Sequence, residues 1–268
     1  MLIVVKVGGS ILEEVPAELV SDIKKVLSNH QLVLVHGGGK GVTAIASKLG
    51  KEQQFVVSPT GFRSRYTDKE TMEIFTMVMA GKINKKIVTA LMKQQIPIVG
   101  LSGLDGLLVQ ATRKKRLIIV DERGRKRVID GGYTGKVNQI NVSLLQLLLD
   151  NGFVPLVSPL ASSEEQEPLN VDADRTAANI AGALKADTLV LLTDVEGLKL
   201  NDKVVSKLSV DDVDDKLKKI GSGMITKVYA AQEAMNQGVG EVVICSGVRE
   251  NPISSALKHE GGTVISRE

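Results

Sequence analysis

Two stretches near the amino terminus, MLIVVKV at Met1 to Val7 and QLVLVH at Gln31 to His36, are almost unbroken runs of apolar, largely branched residues. A strand with one wet face alternates apolar with polar, so such runs belong to strands covered on both faces, as in a parallel sheet between helices. The segment between them agrees, because Pro16 opens a helix-periodic stretch that reaches Asn29, and Gly37, Gly38 and Gly39 follow the second strand. This is a β-α-β unit with glycines at the carboxyl end of a strand.

The alternation continues to the other end of the chain. A long helix is predicted from Asp68, as N-cap, to Gln95, followed by a strand at Ile96 to Leu101 and a basic hairpin turning at Glu122-Arg123-Gly124-Arg125. A helix after Asn141, strand Phe153 to Val157, helix Arg175 to Leu184 and strand Thr188 to Thr193 come next. Helix Met224 to Asn236 and strands Glu241 to Cys245 and Thr263 to Ser266 complete the pattern. No repeat, low-complexity tract or long linker interrupts it. The expected fold is α/β, a three-layer αβα sandwich around a mostly parallel sheet, with ligands at the carboxyl ends of the strands.

Composition narrows the chemistry. The single cysteine, Cys245, excludes an intramolecular disulfide and a multi-cysteine metal site, and reads as a buried strand thiol in a reducing compartment. No run approaches 18 apolar residues and the amino terminus lacks signal-peptide features, so a cytoplasmic protein without membrane contact is expected. Net charge is only +3, but Arg113 to Arg127 holds eight cations (Arg113, Lys114, Lys115, Arg116, Arg123, Arg125, Lys126, Arg127) against Asp121 and Glu122. That local excess leaves the rest of the chain net acidic. A nucleic-acid-binding hairpin is one reading of it, but aromatics make up 3% of the chain and none interleaves these cations.

Glycine clusters follow three strands: Gly8-Gly9, Gly37-Gly38-Gly39, and Gly100, Gly103 and Gly106 in VGLSGLDG. Glycine lets backbone N–H groups approach an anion closely. No Gly-Lys pair is followed by Ser or Thr, so the Walker A loop is absent. Gly39-Lys40-Gly41-Val42-Thr43-Ala44 fits a dinucleotide glycine pattern, but the next apolar segment, Gln54 to Gly61, ends in no acid to hold a ribose.

What remains is an ordered set: K-x-G-G at Lys6 to Gly9, H-G-G-G at His36 to Gly39, S-R-Y-T-D at Ser64 to Asp68, N-x-D-x-D at Asn170 to Asp174, T-D-V-x-G at Thr193 to Gly197, and G-x-G-M-x-x-K at Gly221 to Lys227. Together these resemble the amino-acid kinase family, and within it the acetylglutamate kinase branch. VGLSGLDG, the basic hairpin and Tyr133-Thr134-Gly135 narrow the resemblance to the kinases of carrier-protein-linked lysine and arginine biosynthesis. Those enzymes phosphorylate glutamate or 2-aminoadipate linked through its amino group to the terminal glutamate of a small acidic carrier protein. The alternative of the same class is a free N-acetylglutamate kinase; UMP kinase fits the Arg65 and Asn170 positions less well.

The resemblance implies roles. Lys6 and Lys227 flank the transferring phosphoryl group and Asp174 orients both. Gly37, Gly38, Arg65 and Asn170 hold the acceptor, while Gly8, Gly9, Thr193, Asp194, Gly197, Gly223 and Met224 line the ATP pocket, with Mg²⁺ carried on the phosphates. The eight hairpin cations meet the carrier. Residues 1–167 form the acceptor lobe and 168–268 the ATP lobe, in a homodimer built on the helix from Asp68. Because the chain starts directly at its first strand, arginine feedback is not expected. His36 is expected to be structural, and Asp172 stands where acetylglutamate kinases usually carry Asn.

Overall fold

The computed structural model describes residues 1–201, 203–213 and 222–267. Its main sheet contains β1 (Leu2–Val7), β2 (Gln31–His36), β3 (Ile98–Ser102), β4 (Val154–Ser158), β5 (Thr188–Thr193), β6 (Lys207–Ser209), β7 (Glu241–Ser246) and β8 (Thr263–Ser266). Their spatial order is β6-β8-β7-β5-β1-β2-β4-β3, and every neighbouring pair is parallel except β7 with β8. The first strand of the chain therefore sits inside the sheet, pairing Lys6 with Val35 on one side and Leu191 on the other. Strands from residues 1–167 fill one half of the sheet and those from 168–268 the other, with the β1–β5 pair as the seam.

Helices cover both faces. On one face, α1 (Ala17–Leu27), α4 (Asn84–Met92) and α8 (Pro252–Leu257) pack over Ile3, Val5, Leu34 and Val190; on the other, α5 (Val142–Asp150), α6 (Ala173–Leu184) and α7 (Ser222–Asn236) pack over Val4, Val33, Leu189 and Leu191. Successive strand residues point to opposite faces. Lys6 thus shares the face of Val4 and is aimed at the layer of α6 and α7. A third cluster joins α2 (Gly39–Lys48) to α3 (Lys69–Thr76) through Val42, Ala46, Met72 and Phe75. Among the described residues no helix is long and apolar enough to cross a membrane.

Two elements differ from expectation, and a third carried none. The long helix begins at its predicted cap, where the Asp68 carboxylate accepts from the Thr71 N–H at 2.8 Å, but a π-helical segment over Met77–Ile83 separates α3 from α4. That segment widens the turn and places Asn84, fully buried, to donate to the carbonyls of Leu101 and Leu156, tying the ends of β3 and β4 together. The third glycine cluster is not an anion site. A Cβ at Gly103 would lie 1.7 Å from the Leu160 carbonyl oxygen and one at Gly100 2.2 Å from Asn84 Oδ1, so both serve close packing. Finally, the apolar segment Gln54 to Gly61 supplies one strand of a small hairpin, Phe55–Val57 paired antiparallel with Arg63–Arg65.

Far from these, Asp22 of α1 is completely buried and accepts from the backbone N–H groups of Ile253 and Ser254 at 2.6 and 3.0 Å and from the Ser254 hydroxyl. It ties α1 to the start of α8. Asp22→Ala should lower stability by about 2–3 kcal/mol, the usual worth of hydrogen bonds to a charged group, as a shift of the urea midpoint, with the circular dichroism of the folded protein unchanged.

Candidate active site

The carboxyl ends of β1 and β2 and the first turn of α6 open onto a cleft of about 600 Å³, lined by Lys6, Gly9, Gly37, Arg65, Asn170 and Asp172 among others. At its floor, Lys6 Nζ lies 2.6 Å from Asp174 Oδ1 and Lys227 Nζ lies 3.0 Å from Asp174 Oδ2. One carboxylate from α6 thus bridges a lysine from β1 and a lysine from α7. A buried ammonium without a partner costs several kcal/mol, so the pair of lysines depends on this carboxylate. Burial alone would raise the Asp174 pKa; the adjacent charges of Lys6 and Lys227 outweigh it and hold the group at about 2.

Asp174 has the sequence position of a helix cap, but the cap is Asp172, whose Oδ1 accepts from the Arg175 N–H at 2.9 Å. This frees Asp174 for the lysines and gives Asp172 a structural role. The protein around Asp172, and then the Asp174 charge beside it, raise its pKa.

Beside Lys6 the backbone is bare. A Cβ on Gly9 would stand 2.7 Å from Gly38 N, and one on Gly37 2.9 Å from Gly9 N, so the loops after β1 and β2 touch only because neither carries a side chain there. Gly37 donates its N–H to the Val7 carbonyl at 2.9 Å, which fixes the two loops together. Gly38 also caps α2, so the positive end of that helix faces the same space. The fit to an anionic phosphoryl or carboxylate group is good.

Arg65 enters from the small hairpin and is 7% exposed. Its guanidinium donates to the Gly39 carbonyl at 2.8 Å, to Thr43 Oγ1 at 2.9 Å and to Gln53 Oε1, and stacks over the Phe55 ring. Burial, then the charge of Arg63, lowers its pKa to about 10, and no carboxylate among the described residues lies within ion-pair distance. Asn170 donates from its Nδ2 to Thr67 Oγ1 at 2.9 Å. Gln53, which helps to aim Arg65, carried no sequence signal, and Thr43 and Thr67 fell inside quoted motifs without a role, because each acts through a contact distant along the chain.

On the other side of Lys6, toward β5, the remaining candidates gather outside that cleft. Gly8 donates to the Leu192 carbonyl at 3.0 Å, placing it against Thr193, and Thr193 Oγ1 donates to Asp194 Oδ1 at 3.2 Å. Gly197 packs tightly against Thr263 and Gly262, while Gly223 and Met224 stand in the first turn of α7, where a Cβ at Gly223 would meet no atom of the described residues within 4 Å. Gly221 lies outside the described residues. His36 is buried and structural: its Nδ1–H donates to the Gly37 carbonyl at 3.0 Å, and burial, the main cause, lowers its pKa to about 4. The Cys245 thiol is likewise buried and pushed up to about 12.

The basic hairpin forms as expected from Arg116–Val120 and Lys126–Asp130, but its cations divide. Asp121 accepts from the Arg123 and Arg125 N–H groups at 3.0 and 2.9 Å and pairs with the side chains of Arg125 and Arg127. Arg113 is bound to Glu167 at 2.6 Å and stacks on Tyr133, so it is engaged inside the protein. Lys115, Arg116, Arg123 and Lys126 are exposed, with no carboxylate within 4 Å among the described residues. Lys114 lines the cleft instead.

A bare glycine cradle thus lies beside a carboxylate that bridges two lysines, at the carboxyl ends of a parallel sheet. The chain belongs to the amino acid kinase family, whose sequence profile matches residues 1–246, and is an ATP-dependent kinase. A Sulfolobus acidocaldarius LysW-aminoadipate/LysW-glutamate kinase is 48% identical over 265 residues, covering 98% of this chain and 100% of that one. A Nitrosopumilus maritimus protein provisionally named for the same activity is 51% identical over 267 residues, covering both chains fully. The crystal structure of smu.665 from Streptococcus mutans superposes with a TM-score of 0.82 at 27% identity, covering 100% of this chain and 99% of that one.

Two outcomes follow from the geometry. Because Asp174 is held below the ordinary carboxylate value of about 4, its stabilising effect is complete above that pH and is lost as pH falls toward about 2. Asp174→Asn should therefore flatten the acid-unfolding curve between pH 4 and 2. Gly9→Ala forces two backbones apart, and should slow turnover by about 10² and also lower near-neutral stability by about 1–3 kcal/mol, read as a shift of the urea midpoint.

Proposed function

We propose that this kinase transfers the γ-phosphoryl group of ATP to the side-chain carboxylate of glutamate or 2-aminoadipate linked through its amino group to a small acidic carrier protein, in lysine or arginine biosynthesis. The observation that carries the reading is the Lys6–Asp174–Lys227 bridge beside the glycine cradle. The names and full-length identity of the relatives support the substrate class.

An acceptor carboxylate with a pKa near ~4 is already ionised at neutral pH, so no general base is needed. Its oxygen attacks the γ-phosphorus, the bond from that phosphorus to the β,γ-bridging oxygen breaks, and ADP leaves with the electron pair. The barrier is the meeting of two anions and the charge spread over the transferring oxygens. Lys6 and Lys227, locked in place by Asp174, stabilise that charge from the acceptor side and the nucleotide side respectively. Mg²⁺ would ride on the phosphates of ATP and, when bound, would neutralise part of their charge. Arg65, held by Gln53, Thr43 and Gly39, grips the acceptor's backbone carboxylate, and Asn170, Gly37 and Gly38 hold its remaining polar atoms. Gly8, Gly9, Thr193, Asp194, Gly197, Gly223 and Met224 hold ATP, so that residues 1–167 serve the acceptor and 168–268 the nucleotide on either side of the β1–β5 seam. The protein works in the cytoplasm as a homodimer, for which the exposed Met77 and Met92 on the α3–α4 run offer an apolar contact.

Hydroxylamine trapping of the acyl phosphate tests the reading, with N-acetylglutamate, carrier-linked glutamate and carrier-linked 2-aminoadipate in parallel. Trapped product from a carrier-linked acid but not from N-acetylglutamate is expected; the reverse pattern would make the chain a free acetylglutamate kinase. Arg65→Lys, which keeps charge but loses the planar fork, should raise the acceptor KM and leave the ATP KM unchanged.

The carrier contact has its own test. Charge reversal at Lys115, Arg116, Arg123 and Lys126, the exposed cations with no carboxylate within 4 Å among the described residues, should raise KM for the carrier-linked substrate, whereas reversal at Arg125 and Arg127 should act mainly through loss of the Asp121 turn. In the wild type that KM should rise steeply from 20 to 300 mM salt as the ~10 Å screening length at 0.1 M shortens. A flat salt response would leave the hairpin without this role.

A further inference from the structure

The antiparallel pair Val109–Arg113 and Gly135–Ile140 sets Thr112 opposite Lys136 and Arg113 opposite Gly135, and the Lys114 N–H donates to the Thr134 carbonyl at 2.9 Å. Side chains alternate faces along a strand and opposite residues share one. Thr112, Lys114, Thr134 and Lys136 therefore stand on one face, and Arg113 with Gly135 on the other. This alternation explains why Arg113 is turned into its contacts with Glu167 and Tyr133 while its neighbour Lys114 points into the cleft.

Lys114 and Lys136 line the same cavity as Lys6 and Arg65, yet neither ammonium has an ion pair or hydrogen bond among the described residues. Lys114 is half-buried there, and burial, followed by the charges of Arg175 and Lys136, lowers its pKa. Arg175 is already committed to Glu233. Of the other cations lining the cavity, Lys6 is paired with Asp174, and Arg63 and Arg65 stand on the Phe55–Arg65 hairpin, so with Asp172 the pair Lys114 and Lys136 leaves one positive charge at its own end, enough for a single carboxylate. The place is on the acceptor side, because Thr134 bridges directly to Asn170.

We propose that Lys114 and Lys136 form a second anion subsite of the acceptor cleft, which binds a carboxylate carried on the acyl group attached to the acceptor's nitrogen. Resting on the carrier reading, the ligand follows from simple chemistry: a terminal glutamate has two carboxyl groups, and whichever forms the amide, the other remains an anion a few bonds from the acceptor. An acetyl group offers none. The subsite would thus distinguish the linked substrate from N-acetylglutamate inside the cleft, separately from any contact with the carrier's surface.

Two small acids isolate this from the carrier. N-glutarylglutamate and N-pentanoylglutamate differ only in a carboxylate in place of a methyl group, and binding of each to the full-length protein can be measured by calorimetry at low salt. The diacid should bind at least about tenfold tighter, and the advantage should fall below about threefold in Lys114→Gln/Lys136→Gln but persist in Lys25→Gln, a surface control on α1. Equal binding of the two acids, no measurable binding of the diacid, or an advantage that survives the double substitution would overturn the subsite. If the diacid preference holds while carrier-linked acids yield no trapped acyl phosphate, the carrier reading fails and the subsite stands.

Discussion

The Asp174 carboxylate is the interaction on which the arrangement depends. It joins the central strand of the sheet, the first turn of α6 and the helix α7 through two lysines that would otherwise be buried or nearly buried unpaired. Taking an ammonium out of water without a partner costs several kcal/mol, and the bridge offsets that cost for both lysines at once. One carboxylate thereby fixes the places of two side chains that come from distant parts of the chain.

The surrounding backbone follows the same requirement. Lys6 reaches Asp174 only because β1 is internal to the sheet and its alternation turns residue 6 toward the α6 layer. The adjoining loops can approach to within contact distance because Gly9 and Gly37 lack side chains. Asp172, by taking the cap of α6, leaves Asp174 free for the lysines. Each of these is a local choice of residue that serves one distance in the cleft.

Much of this was legible in the sequence for a physical reason. Strands such as Met1 to Val7 declare two-faced burial through their composition, and glycines immediately after them mark where backbone must come close. The ordered motifs around Lys6, Asp174 and Lys227 brought together residues that no periodicity could have paired. What stayed hidden depends on contacts between distant segments. The π-helical turn at Met77–Ile83 leaves no mark on a helical apolar pattern, and the short Arg63–Arg65 strand is specified by its partner. The basic cluster read as a single patch, although strand alternation sends Arg113 and Lys114 to opposite faces and Asp121 engages two of the rest.

The most direct measurement of the central claim is the single-turnover rate of phosphoryl transfer in Lys6→Ala, Asp174→Asn and the double variant, at saturating substrates. If Asp174 acts by fixing the lysines, each single change should slow the step by about 10²–10³, and the double should be far less impaired than the product of the two effects. Fully multiplicative losses, or an Asp174→Asn rate equal to that of the wild type, would contradict the account.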